Sequence, residues 1–129
     1  MSKKRAFISF DYDHDEGAKI MLAGQAKYSD SPFDFTDASV KDELTGDWQE
    51  KVRRRMDNVD IVIVLCGEKT DSASGVAAEL KIAQEKGKDY FLLAAYSNKT
   101  CVKPTSAKTG DKVYEWTWPN LKNLIGGSR

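Results

Sequence analysis

Asp60-Ile61-Val62-Ile63-Val64-Leu65-Cys66-Gly67, running on through Thr70-Asp71-Ser72-Ala73-Ser74-Gly75-Val76-Ala77-Ala78-Glu79-Leu80, decides the fold of this chain. The first half is an unbroken apolar run rich in β-branched residues, the pattern of a strand covered on both faces. The second half is a polar loop that opens into a helix. On a 3.6-residue period Val76, Ala78, Leu80, Ile82 and Ala83 form one apolar arc, with Lys81 and Glu85 on the polar side. A strand buried on both faces needs helices on both faces, which means a parallel sheet inside an α/β domain. Glu79 falls within the apolar arc. An acid there is costly unless it is paired or used. Two readings stand at this point: a flank residue whose stem packs while its head reaches water, or a carboxylate kept for chemistry.

Working outward, strand and helix patterns alternate. Ala6-Phe7-Ile8-Ser9-Phe10 reads as a first strand, and Asp15 to about Tyr28 as a helix with Ile20, Met21, Leu22 and Ala26 at apolar positions. Phe33–Thr36 is a short second strand, followed by a polar loop from Asp37 to Gly46. Asp47 to about Asn58 is a helix with Trp48, Val52 and Met56 one turn apart. The third helix runs from Ser72 to about Lys86 and is stopped by Gly87. Tyr90–Tyr96 is a buried strand, and a fifth strand is expected near Val113-Tyr114-Glu115. Ser97–Lys112 is a long polar loop, either mobile or covering a site. A last helix carries Trp116, Trp118 and Pro119, its tryptophans read as core anchors. Right-handed crossovers then give a flavodoxin-like three-layer fold with strand order 2-1-3-4. Residues 1–129 read as one domain.

Composition narrows the function classes. Twenty basic and twenty acidic side chains cancel, so no net charge favours nucleic acid or an anionic membrane. Arg53-Arg54-Arg55 is the local exception, read as a solvated helix end or a phosphate patch. No apolar run approaches the ~20 residues that span a bilayer, and the basic start Met1–Arg5 is followed by a strand pattern where a signal peptide would have its core. A cytoplasmic location is expected. Cys66 and Cys101 lack metal-ligand spacing and His14 is the only histidine, so no metal site and no Ser-His or Cys-His centre is expected. The two cysteines are expected to be unbonded.

In such sheets ligands bind beyond the carboxyl ends of the strands, at the switch between strands 1 and 3. That rule gathers Phe10-Asp11-Tyr12-Asp13 from strand 1, Gly67–Asp71 from strand 3, and the loop that leaves strand 2 at Asp37. The helix start at Ser72 and Ser74 offers backbone N–H groups to a phosphate, unless these hydroxyls are only caps. The candidate substrate-binding set is Phe10, Asp11, Tyr12, Asp37, Ser39, Gly67, Thr70, Ser72 and Ser74. Gly67-Glu68-Lys69-Thr70 lacks the spacing of a phosphate loop. Asp11, Asp13 and Asp15 read as caps and dipole partners or as Mg²⁺ ligands. A phosphotransfer domain using Asp11 is the weakest alternative, because a receiver has an aspartate ending strand 3 where Cys66-Gly67 stand.

Taken in order, Arg5–Asp13, Phe35–Ser39, Asp60–Gly67, Thr70–Val76 with Glu79-Leu80, and Lys86-Gly87-Lys88 resemble the TIR-like domains of the Thoeris anti-phage system. The pieces span roughly residues 5 to 96. The resemblance implies a flavodoxin-like TIR fold and, in members that cleave NAD⁺, a catalytic glutamate in the third helix. Carried over, that role falls on Glu79. It also implies that Phe10 and Asp11 line the pocket, that the loop Asp37–Gly46 borders it, and that NAD⁺ is substrate, with no separate cofactor. Cleavage of the nicotinamide–ribose bond would make a cyclic or conjugated ADP-ribose signal, sensed by an effector protein, and TIR-like surfaces would self-associate. Many members place a tryptophan directly ahead of the valine one turn before the glutamate; this chain has Gly75. The alternative is a non-enzymatic TIR-like interaction and signalling module.

Overall fold

A computed structural model describes residues 4–38 and 47–127, with only the backbone for residues 35–38. Five parallel strands form one sheet in the order β2-β1-β3-β4-β5. They are β1 (Lys4–Ser9), β2 (Phe33–Ala38), β3 (Ile61–Cys66), β4 (Asp89–Ala94) and β5 (Val113–Tyr114). The helices are α1 (Glu16–Gln25), α2 (Trp48–Asp57), α3 (Ser74–Glu85) and α4 (Trp118–Ile125). A 3₁₀ turn at Thr70–Ser72 precedes α3.

Side chains alternate across the sheet, so two cores form. Ala6, Ile8, Ile61, Ile63, Leu65, Phe91 and Leu93 pack with Leu22 of α1 and Leu121, Leu124 and Ile125 of α4. Phe7, Val62, Val64, Cys66 and Leu92 face the other way, onto Val52 and Met56 of α2 and Val76, Leu80 and Ala83 of α3. All six residues of β3 are buried, because each face of this central strand is covered. The register aligns Ala6 with Ile61 and Ser9 with Val64. An irregularity between Ala6 and Phe7 shifts the β1–β2 ladder by one residue.

Two element boundaries differ from the sequence expectation, and both bear on the site. β2 runs on to Ala38, so Asp37 lies in the strand, paired with Phe7, and not in the following loop. α3 starts at Ser74, since Thr70–Ser72 closes a separate turn first. The stop at Gly87 has a backbone cause. Its φ is +67°, and the Gly87 and Lys88 amides donate to Gln84 and Ala83 carbonyls, ending α3 in a left-handed turn.

The long segment after β4 is tied down. The Ser106 hydroxyl donates to the Ala77 carbonyl (2.7 Å), the Gln84 amide to the Ser106 carbonyl (3.0 Å), and the Tyr90 hydroxyl to Asp111 (2.8 Å). It is stitched to α3 and β4. The arginines of α2 are likewise engaged, Arg53 with Glu85 at 2.8 Å and Arg54 with Glu50 at 3.9 Å. Trp116 and Trp118 are half-buried against the α1/α4 core, with indole N–H groups on Gln25 and Asp30.

Candidate active site

Glu79 is buried, at 3 % exposure. It sits on the face of α3 that packs against the sheet, and its Oε1 accepts a 2.7 Å hydrogen bond from the Ser9 hydroxyl. Ser9 ends β1 and is fully buried. Along β1 it shares the face of Phe7, the face that α3 covers. Ser9 was absent from the sequence-derived set. The signal for it was a hydroxyl inside the run Ala6–Phe10, on the strand face that meets the helix carrying the acid.

Above this pair lies a cleft of about 170 Å³ between two chain segments, Phe10–His14 after β1 and Ser72–Val76 at the start of α3. Of the sequence-derived set, Phe10, Asp11, Tyr12, Ser72 and Ser74 line it together. Phe10 and Tyr12 stack with ring centroids 5.6 Å apart. Asp11 is 8 % exposed; its Oδ1 accepts the Asp13 amide at 3.2 Å, and its Oδ2 lies 2.7 Å from Nδ1 of His14. Opposite, among the described residues, the N-cap position of α3 supplies no side-chain hydrogen bond. Its N-cap is Ala73, the Ser72 hydroxyl donates to the Lys69 carbonyl, and no acid stands in the first turn. The positive end of a three-turn helix therefore faces the cleft with its amides available to an anion. Glu79 does not line this cleft; it stands one turn along α3 from Val76, which does. Among the described residues the acid thus lies behind the cleft wall.

Gly67 and Thr70 are placed elsewhere, holding the loop. Thr70 is fully buried and its hydroxyl accepts the Gly67 amide at 2.7 Å. A Cβ on Gly67 would lie 2.5 Å from Oδ1 of Asp15, so only glycine fits against that carboxylate. Asp15 is 2 % exposed; its Oδ1 accepts the Tyr96 hydroxyl at 2.9 Å, and its Oδ2 has no hydrogen-bond partner among the described residues. Burial pushes the Asp15 carboxyl above the ordinary carboxylate value, against the opposing pull of the Tyr96 hydrogen bond. Tyr96 is pushed up to about 12, by its own burial and then by Asp15. Asp37 reaches this edge of the sheet by its backbone, while Ser39 lies outside the described residues. Among the described residues no three His, Cys, Asp or Glu side chains are grouped to hold a metal.

The arrangement can hold an anion at α3, an aromatic or polar group against Phe10–Asp11–Tyr12, and one buried carboxylate close behind. Known proteins bear on what this means. No curated protein matches the chain. Among solved structures, "Crystal Structure of a prokaryotic SEFIR domain" aligns with a TM-score of 0.60 at 17 % identity, covering 95 % of this chain and 92 % of that one. At that identity the likeness shows a shared fold. Residues 7–100 match the family described as "Thoeris protein ThsB, TIR-like domain". The matched span takes in the second half of β1, β2 to β4, both walls of the cleft and the Ser9–Glu79 pair. By the greater part of its sequence, the chain belongs to the Thoeris ThsB TIR-like family.

Proposed function

We propose that this domain cleaves NAD⁺ at the nicotinamide–ribose bond, with Glu79 as the catalytic carboxylate. The observation that carries the reading is the buried Ser9–Glu79 pair set behind a cleft that has the start of α3 as one wall, where the N-cap residue Ala73 supplies no capping side chain. The α3 amides would take the pyrophosphate. Phe10, Asp11 and Tyr12 would hold the nicotinamide riboside end. A cleft of about 170 Å³ is below the ~300–1,000 Å³ of ordinary ligand sites, so it holds one part of a dinucleotide. Movement of Val76 or of Glu79 itself would bring the acid to the ribose.

The chemistry suits so sparse a site. Nicotinamide in NAD⁺ is a cationic leaving group and departs neutral, with no general acid. Breaking its bond develops oxocarbenium character on the ribose, as in glycoside hydrolysis. A preorganised carboxylate stabilises that charge, strongly where water is excluded. Capture by water gives ADP-ribose; capture by a group of the bound molecule gives a cyclic isomer. Membership of the Thoeris family favours a cyclic or conjugated ADP-ribose signal read by an effector protein, with self-association of the domain and a cytoplasmic setting. No helix among the described residues is long and apolar enough to cross a membrane.

The second reading is a non-enzymatic interaction module. It is favoured by the exposed Ile20, Met21 and Tyr28 around α1, and by the burial of Glu79 away from the cleft. Nicotinamide release from NAD⁺ separates the two. Glu79→Gln should lose at least about a hundredfold in rate, or ~3 kcal/mol of transition-state stabilisation, with its melting temperature unchanged or slightly raised. A folded Glu79→Gln protein with near-normal turnover would sink the enzymatic reading. Wild-type protein that releases no nicotinamide under any assembly condition would favour the module.

A further inference from the structure

His14 half-projects from the cleft rim, with its side chain 52 % exposed, and its Nδ1 lies 2.7 Å from the nearly buried Oδ2 of Asp11. A carboxylate only accepts hydrogen bonds, so the bonded Nδ1 carries a proton, and in the neutral ring the lone pair lies on Nε2. The ring's tautomer and tilt are thus set by its partner, the arrangement that orients a general base. Asp11 is itself fixed. Its Oδ1 takes the Asp13 amide and its carbonyl takes the amides of His14 and Asp15, at 3.2 and 2.7 Å. The imidazole shares one cleft with Ser72–Val76, on the open side, while Glu79 is on the closed side. A base therefore lines the space where a ribose would sit, and a buried acid stands behind its α3 wall.

We propose that His14 is the general base that activates an O–H acceptor in the ribosyl transfer, with Asp11 as its positioning residue. The inference rests on the NAD⁺-cleaving function proposed above. The steps balance as follows. The bond from ribose C1′ to the nicotinamide nitrogen breaks, and the electron pair leaves with neutral nicotinamide. The positive charge passes to the ribosyl centre, stabilised by Glu79. An oxygen lone pair of the acceptor, water or a hydroxyl, forms the new C1′–O bond. Its proton moves to Nε2 of His14, and the imidazolium returns it to solvent. The acceptor class is an O–H group because an anionic nucleophile has no proton to give up, and a base would do nothing for it.

Methanol and azide test this, as one acceptor that must lose a proton and one that need not. With NAD⁺ as substrate, the wild-type protein should form the methyl glycoside and the azide adduct. His14→Gln should lose on the order of a hundredfold in methyl glycoside formation, the usual scale of general-base help. Its azide adduct should stay within about threefold, since base assistance is what the variant lacks. Asp11→Asn should lower the ratio of methyl glycoside to azide adduct in the same direction, a ratio that a weaker hold on the substrate would not move, because its amide can donate to Nδ1 and leave the proton on Nε2. Glu79→Gln should lose both products together. Equal losses with methanol and azide in His14→Gln, or no loss in either, would overturn the base role while leaving NAD⁺ cleavage intact. Failure of the wild-type protein to release nicotinamide would overturn the underlying function and this inference with it. If His14→Gln melts well below wild type, the product ratio of Asp11→Asn carries the comparison, and an unchanged ratio there counts against the proposal.

Discussion

At the scale of single residues, Ser9 and Asp15 carry the sharpest expectations. Ser9→Ala removes a hydroxyl donor from a buried carboxylate. Stability should fall by about 1–3 kcal/mol, and NAD⁺ turnover should fall about tenfold as Glu79 loses a fixed orientation; denaturant melts beside nicotinamide release check both. Asp15 makes a pH statement. Its carboxyl is raised above the ordinary 3.8 by burial, so between that value and the raised one the folded chain binds more protons than the unfolded chain. Stability contributed by the protonated form is therefore present below 3.8 and lost as pH rises through the folded value. Asp15→Asn should flatten that decline and raise the melting temperature at neutral pH, while its amide oxygen still accepts the Tyr96 hydroxyl. Melting of both proteins from the ordinary carboxylate value up to neutral pH would show it, and an Asp15→Asn curve that runs parallel to wild type would refute it. Glu79 was legible in the sequence because one helix's own periodicity marks an acid among apolar positions. Ser9 and His14 were not, because their importance lies in partners seventy and three positions away that only the folded chain supplies.

At the scale of elements, the loop from β3 to α3 depends on one missing side chain. Gly67→Ala drives a methyl to within 2.5 Å of the Asp15 carboxylate, whose short side chain is held by Tyr96. Overpacking of this kind costs about 1–3 kcal/mol. Adding Asp15→Ala should recover a good part of that loss, so the pair should be non-additive in a double-mutant cycle; simple additivity would show that the contact is not what Gly67 serves. This same crowding explains why Gly67 and Thr70, grouped with the site by topology, are spent on building the loop. The strands and helices themselves were readable from period two and period 3.6. Their ends were not. Ser72 reads as a cap in the sequence, yet its hydroxyl closes the 3₁₀ turn on Lys69, and α3 begins two residues later. That shift leaves the helix uncapped where an anion would bind. Likewise Asp37 reads as loop, but ladder pairing with Phe7 carries β2 past it.

At the scale of the whole molecule, the strand order was deducible because each strand's run is long enough to be buried and right-handed crossovers leave few orders open. The fate of Ser97–Lys112 was not, since polar side chains look alike whether they are solvated or, like Ser106 and Asp111, bonded to a neighbouring element. The two cysteines mark the layers. Both are free, Cys66 buried at the end of β3 with its thiol pushed up to about 12 by burial, Cys101 half-exposed. Native protein should therefore react quickly at Cys101 alone with a thiol reagent, and at both after denaturation; no reactive thiol in the unreduced, denatured chain would mean a disulfide. The order β2-β1-β3 also has a consequence in time. The first of these strands to leave the ribosome ends inside the sheet, with both of its edges filled by strands made later. Ala6 must wait for Ile61, and Ser9 cannot meet Glu79 until α3 has emerged. Such non-local pairing is slow to close and leaves apolar strand surface open meanwhile. Nascent chains arrested before β3 clears the exit tunnel should be readily cleaved by protease, and protection should appear abruptly once α3 is out. The domain would thus acquire its shape and its candidate chemistry at the same late moment of synthesis, so a half-made chain could not act on NAD⁺.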